Sequence, residues 1–252
     1  MMQGGIKLGK IIAVVSGKGG TGKTSFTANV GLALAALGCS TLCLDCDITL
    51  RNLDLALGLS DRALMDFTDV IAGRCTLEDA VVQHPKYPKL HLLTAPLSAR
   101  PVPIAPEQMK ALLDRIRQTY DYCLIDAPAG LGMGFHLSSD YADRAVVVTN
   151  TDASSLRDAQ RTVTELGHLE QVHLVMNRIQ PKLLRKLKAT IDDAMDAAGL
   201  PLLGVVPEDP RVMLSANLGQ PLTPSGRAGA ADACVNIARR LEGQRVPIMR
   251  IR

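Results

Sequence analysis

The sequence is short of aromatic side chains: it has no Trp, three Phe and four Tyr, and aromatics make up 3% of its 252 residues. A core built on stacked rings is thereby excluded, and its bulk must come from Val, Ile, Leu and Ala, within a hydrophobic share of 47%. Long apolar runs are missing too. The longest, such as Val30 to Leu37, is broken by Gly and falls well short of the ~20 residues a membrane-spanning helix needs. One-signed charge is scarce: a net charge of +3 lies far from the heavily basic balance of a protein whose main partner is nucleic acid, so any basic surface must be local. No internal repeat or low-complexity tract stands out, and the segment Met1 to Gly5 has no apolar signal-like stretch. The six Cys are therefore expected as reduced thiols in a cytoplasmic protein.

What is present is alternation. Short β-branched runs at 11–15, 41–44, 90–93, 122–125, 145–148, 172–175 and 202–206 are separated by longer helical patterns at 23–37, 106–119, 154–166, 181–198 and 228–241. The pattern predicts an α/β fold: a doubly wound, mostly parallel sheet of seven to eight strands with helices on both faces. Residues 1–242 read as a single domain and 243–252 as a short basic and apolar tail. In such a sheet ligands bind beyond the carboxyl ends of the strands, which directs attention to the loops that follow them.

The loop after the first strand is Gly17-Lys18-Gly19-Gly20-Thr21-Gly22-Lys23-Thr24-Ser25. It lies between a strand and a helix, the context that makes a G-x-x-x-x-G-K-[ST] match a phosphate cradle and not a mere glycine-rich turn. Small residues let the backbone curl, so that successive N–H groups and the following helix N-terminus face an anion. Lys23 is expected on the β- and γ-phosphates of ATP and the Thr24 hydroxyl on Mg²⁺. Tyr122-Cys123-Leu124-Ile125-Asp126, an apolar strand ending in a carboxylate, has the Walker B form, with Asp126 supporting Mg²⁺ through water. Asp45 and Asp47 follow the second strand at a spacing of two, which would point both carboxylates to one side; a helix N-cap is the other reading of Asp47. Asn177 and Arg178 follow one late strand and Pro207, Glu208 and Asp209 another, all on the predicted site face; a turn held by its own side chain is the other reading of Asn177.

Lys18 is one lysine more than a phosphate loop requires. Two ammonium groups aimed at one triphosphate repel unless phosphate charge lies between them, whereas a solvated loop lysine is the plainer alternative. With this lysine the loop resembles the deviant Walker A loop of the MinD/ParA family of P-loop ATPases. The resemblance runs through almost the whole chain, including Arg51-Asn52-Leu53-Asp54-Leu55, Ser154-Ser155-Leu156-Arg157-Asp158-Ala159 and Leu203 to Asp209, and these matches favour the MinD branch over ParA.

The resemblance implies that Lys18 reaches the partner's ATP across a homodimer interface and that Asp47 orients the attacking water while Asp45 supports the site. It implies that Asn177 reads the base edge under the loop Pro207-Glu208-Asp209. For partners it implies a division inhibitor of MinC type, a MinE-like activator and the inner membrane surface, to which the tail residues Val246, Ile248, Met249 and Ile251 would bind when ATP is held. Gly243 and Pro247 interrupt a long helix there, and an ordinary frayed terminus is the alternative. Gly132 stands where the MinD branch usually carries Glu. A flagellar-number regulator of FlhG type and a DNA-partitioning ParA are the alternative outputs, the latter drawing on the basic run Lys182, Arg185, Lys186 and Lys188, although such faces are usually only solvated. Cys43-x-x-Cys46 suggests an iron–sulfur ATPase, but Cys43 falls within a strand, where a thiol reads as a core group.

Overall fold

The computed structural model describes residues 8–97, 103–187, 190–226 and 228–251. Its strands are β1 (Lys10–Val15), β2 (Thr41–Asp45), β3 (Val82–Gln83), β4 (Leu90–Leu93), β5 (Tyr122–Asp126), β6 (Arg144–Thr149), β7 (Val172–Ile179) and β8 (Leu202–Pro207). The helices are α1 (Lys23–Ala36), α2 (Leu53–Leu57), α3 (Phe67–Ile71), α4 (Leu77–Ala80), α5 (Pro106–Thr119), α6 (Met133–Ser139), α7 (Ala153–Glu165), α8 (Pro181–Leu187), α9 (Ile191–Ala198), α10 (Pro210–Asn217) and α11 (Ala230–Leu241). The strands form one eight-stranded sheet in the order β3-β4-β2-β5-β1-β6-β7-β8. Every pairing is parallel except β3 with β4.

Period-two alternation sends successive strand residues to opposite faces, and here both faces are apolar because both are covered. From β1, Ile11, Ala13 and Val15 join the core beneath α3, α5, α6 and α7, whereas Ile12 and Val14 join the core beneath α1 and α11. Helix α1 is buried nearly all round: Phe26, Val30 and Leu34 enter one core and Ala28 and Leu32 another. Each of its large side chains contributes roughly 1.5–3 kcal/mol on burial. Gly31 lets α1 sit directly on the sheet, since a Cβ there would lie 2.4 Å from the Cys43 Sγ. Cys43 packs with α1 and α2 and Cys46 in the other large core, so the pair is split between two apolar environments, and burial pushes both thiols up.

The structure corrects the expected element limits in three places. The pattern read as one helix over 181–198 is two, because Thr190 begins a new one: its hydroxyl accepts from the Asp193 N–H at 3.1 Å while Asp193 accepts from the Thr190 N–H at 2.7 Å. The helix expected from 228 starts at Ala230, after Ala228 turns through a positive φ of 54°. Strand β7 continues through Asn177 and Arg178 to Ile179. Of the basic run, Lys188 lies outside the described residues, as do the opening residues 1–7 and Arg252.

Candidate functional site

The carboxyl ends of β1, β2, β5, β7 and β8 open onto one side, and the loop from Gly17 to Thr24 lies there. Gly20 and Gly22 adopt φ of 82° and 87°, the left-handed region that glycine enters without steric cost. Gly22 is further constrained, because a Cβ there would come within 2.5 Å of the Asn177 Nδ2. Gly17 passes close to α7, where a Cβ would meet the Asp158 carbonyl at 2.5 Å. α1 starts immediately after Gly22, with no side-chain cap for its first N–H groups, which leaves them free for an anion.

Two observations fit that loop to phosphate. The Lys23 side chain is buried, its residue only 8% exposed, with no ion-pair partner within 4 Å among the described residues. Burial pulls its ammonium below the usual lysine range, against the opposing fields of Asp126 and Asp47. The Thr21 hydroxyl is likewise buried, with no hydrogen-bond partner among the described residues. A buried cation and a buried hydroxyl left unpaired are costly unless a ligand completes them.

Asp45 and Asp126 close the floor. They are register neighbours at the ends of β2 and β5 and are both almost wholly buried. Burial first, then mutual repulsion, pushes the Asp45 carboxyl up to about 7, although it accepts from the N–H groups of Asp47 at 2.9 Å and Leu53 at 3.2 Å. Asp126 is pushed up to about 6 by burial, offset by the hydroxyls of Thr24 and Thr27 and by Lys23; the Thr27 hydroxyl lies 3.4 Å from its Oδ1. Among the described residues no group of three His, Cys, Asp or Glu is arranged to hold a metal ion by itself. The donor set suits Mg²⁺ only in the P-loop manner, through the Thr24 hydroxyl and phosphate oxygens with Asp126 and Asp45 behind them.

Asp47 differs from expectation in its aim. β2 ends at Asp45, so the period-two argument does not extend to Asp47. Its carboxylate instead accepts from the Thr49 hydroxyl at 2.5 Å, the Thr49 N–H at 3.1 Å and the Leu50 N–H at 3.2 Å. That is the turn-capping geometry favoured by Asp, and it holds the carboxylate on the segment that follows β2.

Asn177 is not a self-bonded turn residue. Its Nδ2 donates to the Thr21 carbonyl at 2.8 Å, tying the end of β7 to the loop. Arg178, at a positive φ of 57°, donates to the Gly20 carbonyl at 3.2 Å and pairs with Glu208 at 3.0 Å. A cavity of about 400 Å³ opens beside them, bounded by Gly22, Ser25, Asn177, Pro207 and Glu208. Asp209 contributes chiefly to its wall, since it caps α10 through the Arg211 N–H at 3.0 Å, pairs with Arg211 at 2.7 Å and accepts from the Ala230 N–H at 3.1 Å. Phe26, Asn29, Val212 and Met213 also line the cavity and were not singled out from the sequence. The readable signal for the last two was Asp209-Pro210, an N-cap followed by Pro at the first helical position.

Lys18 does not point at its own loop. Its Nζ donates to the Ser154 Oγ at 2.9 Å, at the start of α7. Gly132 begins α6 in extended backbone, and a Cβ there would meet nothing within 4 Å.

A mostly parallel sheet, a glycine-rich loop entering a helix and, at their junction, a buried lysine with no ion pair among the described residues together define a P-loop nucleotide-binding protein. The model of the CobQ/CobB/MinD/ParA nucleotide binding domain matches residues 12–222. The chain belongs to this family, on its MinD branch, whose members are nucleotide-binding ATPases of cell division. The septum site-determining protein MinD of Synechocystis sp. is 39% identical over 246 residues, covering 96% of this chain and 92% of the relative. MinD of Bacillus subtilis is 38% identical over 96% of this chain and 92% of its own length. Among solved structures, the Aquifex aeolicus MinC:MinD cell division protein complex superposes with a TM-score of 0.88 at 36% identity, covering 96% of this chain and 98% of that one. MinD of Pyrococcus horikoshii complexed with Mg-ADP gives a TM-score of 0.83 at 31% identity, covering 93% of this chain and 96% of that one.

Proposed function

We propose that this chain is a MinD-type molecular switch: it binds Mg·ATP, closes into a homodimer through Lys18, associates with a membrane surface, recruits a division inhibitor of MinC type, and is reset by hydrolysis of ATP and water to ADP and phosphate. The observation that carries the reading is Lys18, a lysine at the loop that is supported by Ser154 and leaves phosphate neutralisation in its own site to Lys23. A long cation displaced from its own cradle is available to a second one.

Within the site, the loop N–H groups and Lys23 would hold the phosphates, and the Asn177 amide and the Arg178–Glu208 pair would frame the base. Mg²⁺, held by the Thr24 hydroxyl with Asp126 and Asp45 behind it, supplies charge neutralisation at the phosphates. Asp47 would take the role of orienting the attacking water after its turn with Thr49 and Leu50 opens, which couples hydrolysis to movement of the segment after β2. The Mg-ADP complex of the Pyrococcus horikoshii relative supports the nucleotide and the ion, and the MinC:MinD complex of the Aquifex aeolicus relative supports the partner.

A membrane role would use the tail, with two weak tails gaining by avidity in a dimer. No described helix is long and apolar enough to cross a bilayer. Co-sedimentation with vesicles in Mg·ATP and in Mg·ADP tests the output: the ATP form pellets and the ADP form stays in solution, whereas equal pelleting in both states would overturn the switch.

A further inference from the structure

Helix α8 and the C-terminal segment meet at the β8 edge of the sheet. Arg240 on α11 donates from Nη1 to the Leu203 carbonyl at 2.8 Å and from Nε to the Val246 carbonyl at 2.9 Å, and its Nη2 reaches the Pro247 carbonyl. Held there, the segment adopts no helix and crosses the edge. Met249 packs on the α1 and α11 side, and Ile251 packs against the core on the opposite face. Val246, Met249 and Ile251 are thus half-buried against the chain's own fold, and Ile248 alone of the four predicted membrane residues is exposed.

This crossing places Arg250 and Ile251 in one cleft with Lys182 and Arg185 of α8. Lys182, Arg185, Lys186, Arg245 and Arg250 are all exposed, and none forms an ion pair within 4 Å among the described residues. α8 itself carries no acidic residue, and Glu208, the carboxylate lining the cleft, is engaged by Arg178. A merely solvated helix face intersperses both signs; this one does not. Leu183 and Ile248 stand exposed on the same two segments.

We propose that α8 and the docked C-terminal segment form one composite surface for an anionic lipid bilayer. Lys182, Arg185, Lys186 and Arg250 meet the headgroup charges, and the exposed Leu183 and Ile248 of the same two segments enter the interface. The proposal rests on the membrane-association reading above and adds to it a contribution from a helix about 60 residues before the tail. Apolar residues set among cations, without an aromatic side chain among those lining the cleft, fit a bilayer better than a nucleic acid, which is gripped by cations with stacking platforms. Each Lys or Arg close to an anionic membrane raises partitioning about 5-fold, so reversing three of them costs at least ~100-fold.

The test uses the full chain with Mg·ATP, vesicles of phosphatidylglycerol with phosphatidylcholine, vesicles of phosphatidylcholine alone, and a duplex DNA. The wild-type chain pellets with the phosphatidylglycerol vesicles, far less with phosphatidylcholine, and less as salt rises. The variant Lys182→Glu/Arg185→Glu/Lys186→Glu loses that pelleting ~100-fold while keeping its circular dichroism and ATP turnover, and the corresponding Gln variant falls between the two. Wild-type pelleting that the Glu variant retains would overturn the composite surface and leave the membrane reading standing, as would equal binding to both vesicles. Binding of DNA without binding of either vesicle would overturn both.

Discussion

The Lys18 ammonium donates a 2.9 Å hydrogen bond to the Ser154 hydroxyl, so the second lysine of the phosphate loop is held by the start of α7 in its own chain. A switch that closes through Lys18 must break this bond. Ser154→Ala removes it without touching the loop. At an exposed site such a bond is worth about 0.5–1 kcal/mol, so the ATP concentration for half-maximal dimerisation should fall about 2- to 5-fold, read by sedimentation velocity. An unchanged or raised midpoint would show that Ser154 does not restrain Lys18.

The buried pair Asp45 and Asp126 makes stability depend on pH in a defined direction. Both native values, about 7 and about 6, lie above the ordinary carboxylate range. The native state therefore binds more protons than the unfolded chain between about pH 4 and pH 7, and these groups lower stability as pH rises through that window. His84, His91 and His173, whose burial holds them below the usual histidine range, act oppositely near pH 6. The comparison is therefore between variants. The nucleotide-free Asp45→Asn chain should lose less stability than wild type from pH 5 to pH 8 in urea titrations; parallel slopes would contradict the raised Asp45 value.

Asn177→Ala breaks the tie between β7 and the Thr21 carbonyl and removes a polar group from the cavity wall. Loss of about 1–2 kcal/mol weakens nucleotide binding ~5- to 30-fold, measured by calorimetry with Mg·ADP. Wild-type affinity would remove Asn177 from the site.

Gly132→Glu introduces the residue that the family resemblance leads one to expect at this position. Extended backbone and an open position make it sterically free, so the unfolding free energy should change by no more than about 0.5 kcal/mol. A larger loss would mean that the segment before α6 closes over this position.

How much could be read before the structure follows from how local each signal is. The seven apolar runs and the loop at Gly17 to Thr24 are determined by residues within one element, and they fall where expected. The two-residue β3 is too short to show a period. The break between α8 and α9 was written in Thr190 and Asp193, but helical periodicity on either side masked the cap. Asp47 was placed by extending a strand rule past the end of β2, where its affinity for the Thr49 and Leu50 N–H groups governs instead. Least legible were the bonds across long sequence distances: Lys18 to Ser154, Asn177 to Thr21, and Arg240 to the Leu203 carbonyl. Side-chain types alone do not announce such pairings.

The tail contacts give a further expectation. Arg240→Ala frees the Val246 and Pro247 carbonyls, so trypsin should cleave after Arg245 several-fold faster than in wild type, followed by mass spectrometry of the intact chain. Equal cleavage rates would show that the segment is held by other contacts.

If Lys18 serves a second copy of the chain, sedimentation velocity must separate the wild-type and Lys18→Ala proteins. With Mg·ATP, wild type shifts from monomer to dimer and Lys18→Ala remains monomeric while still binding nucleotide through Lys23. An ATP-dependent Lys18→Ala dimer of wild-type affinity would show that Lys18 does not reach a second copy.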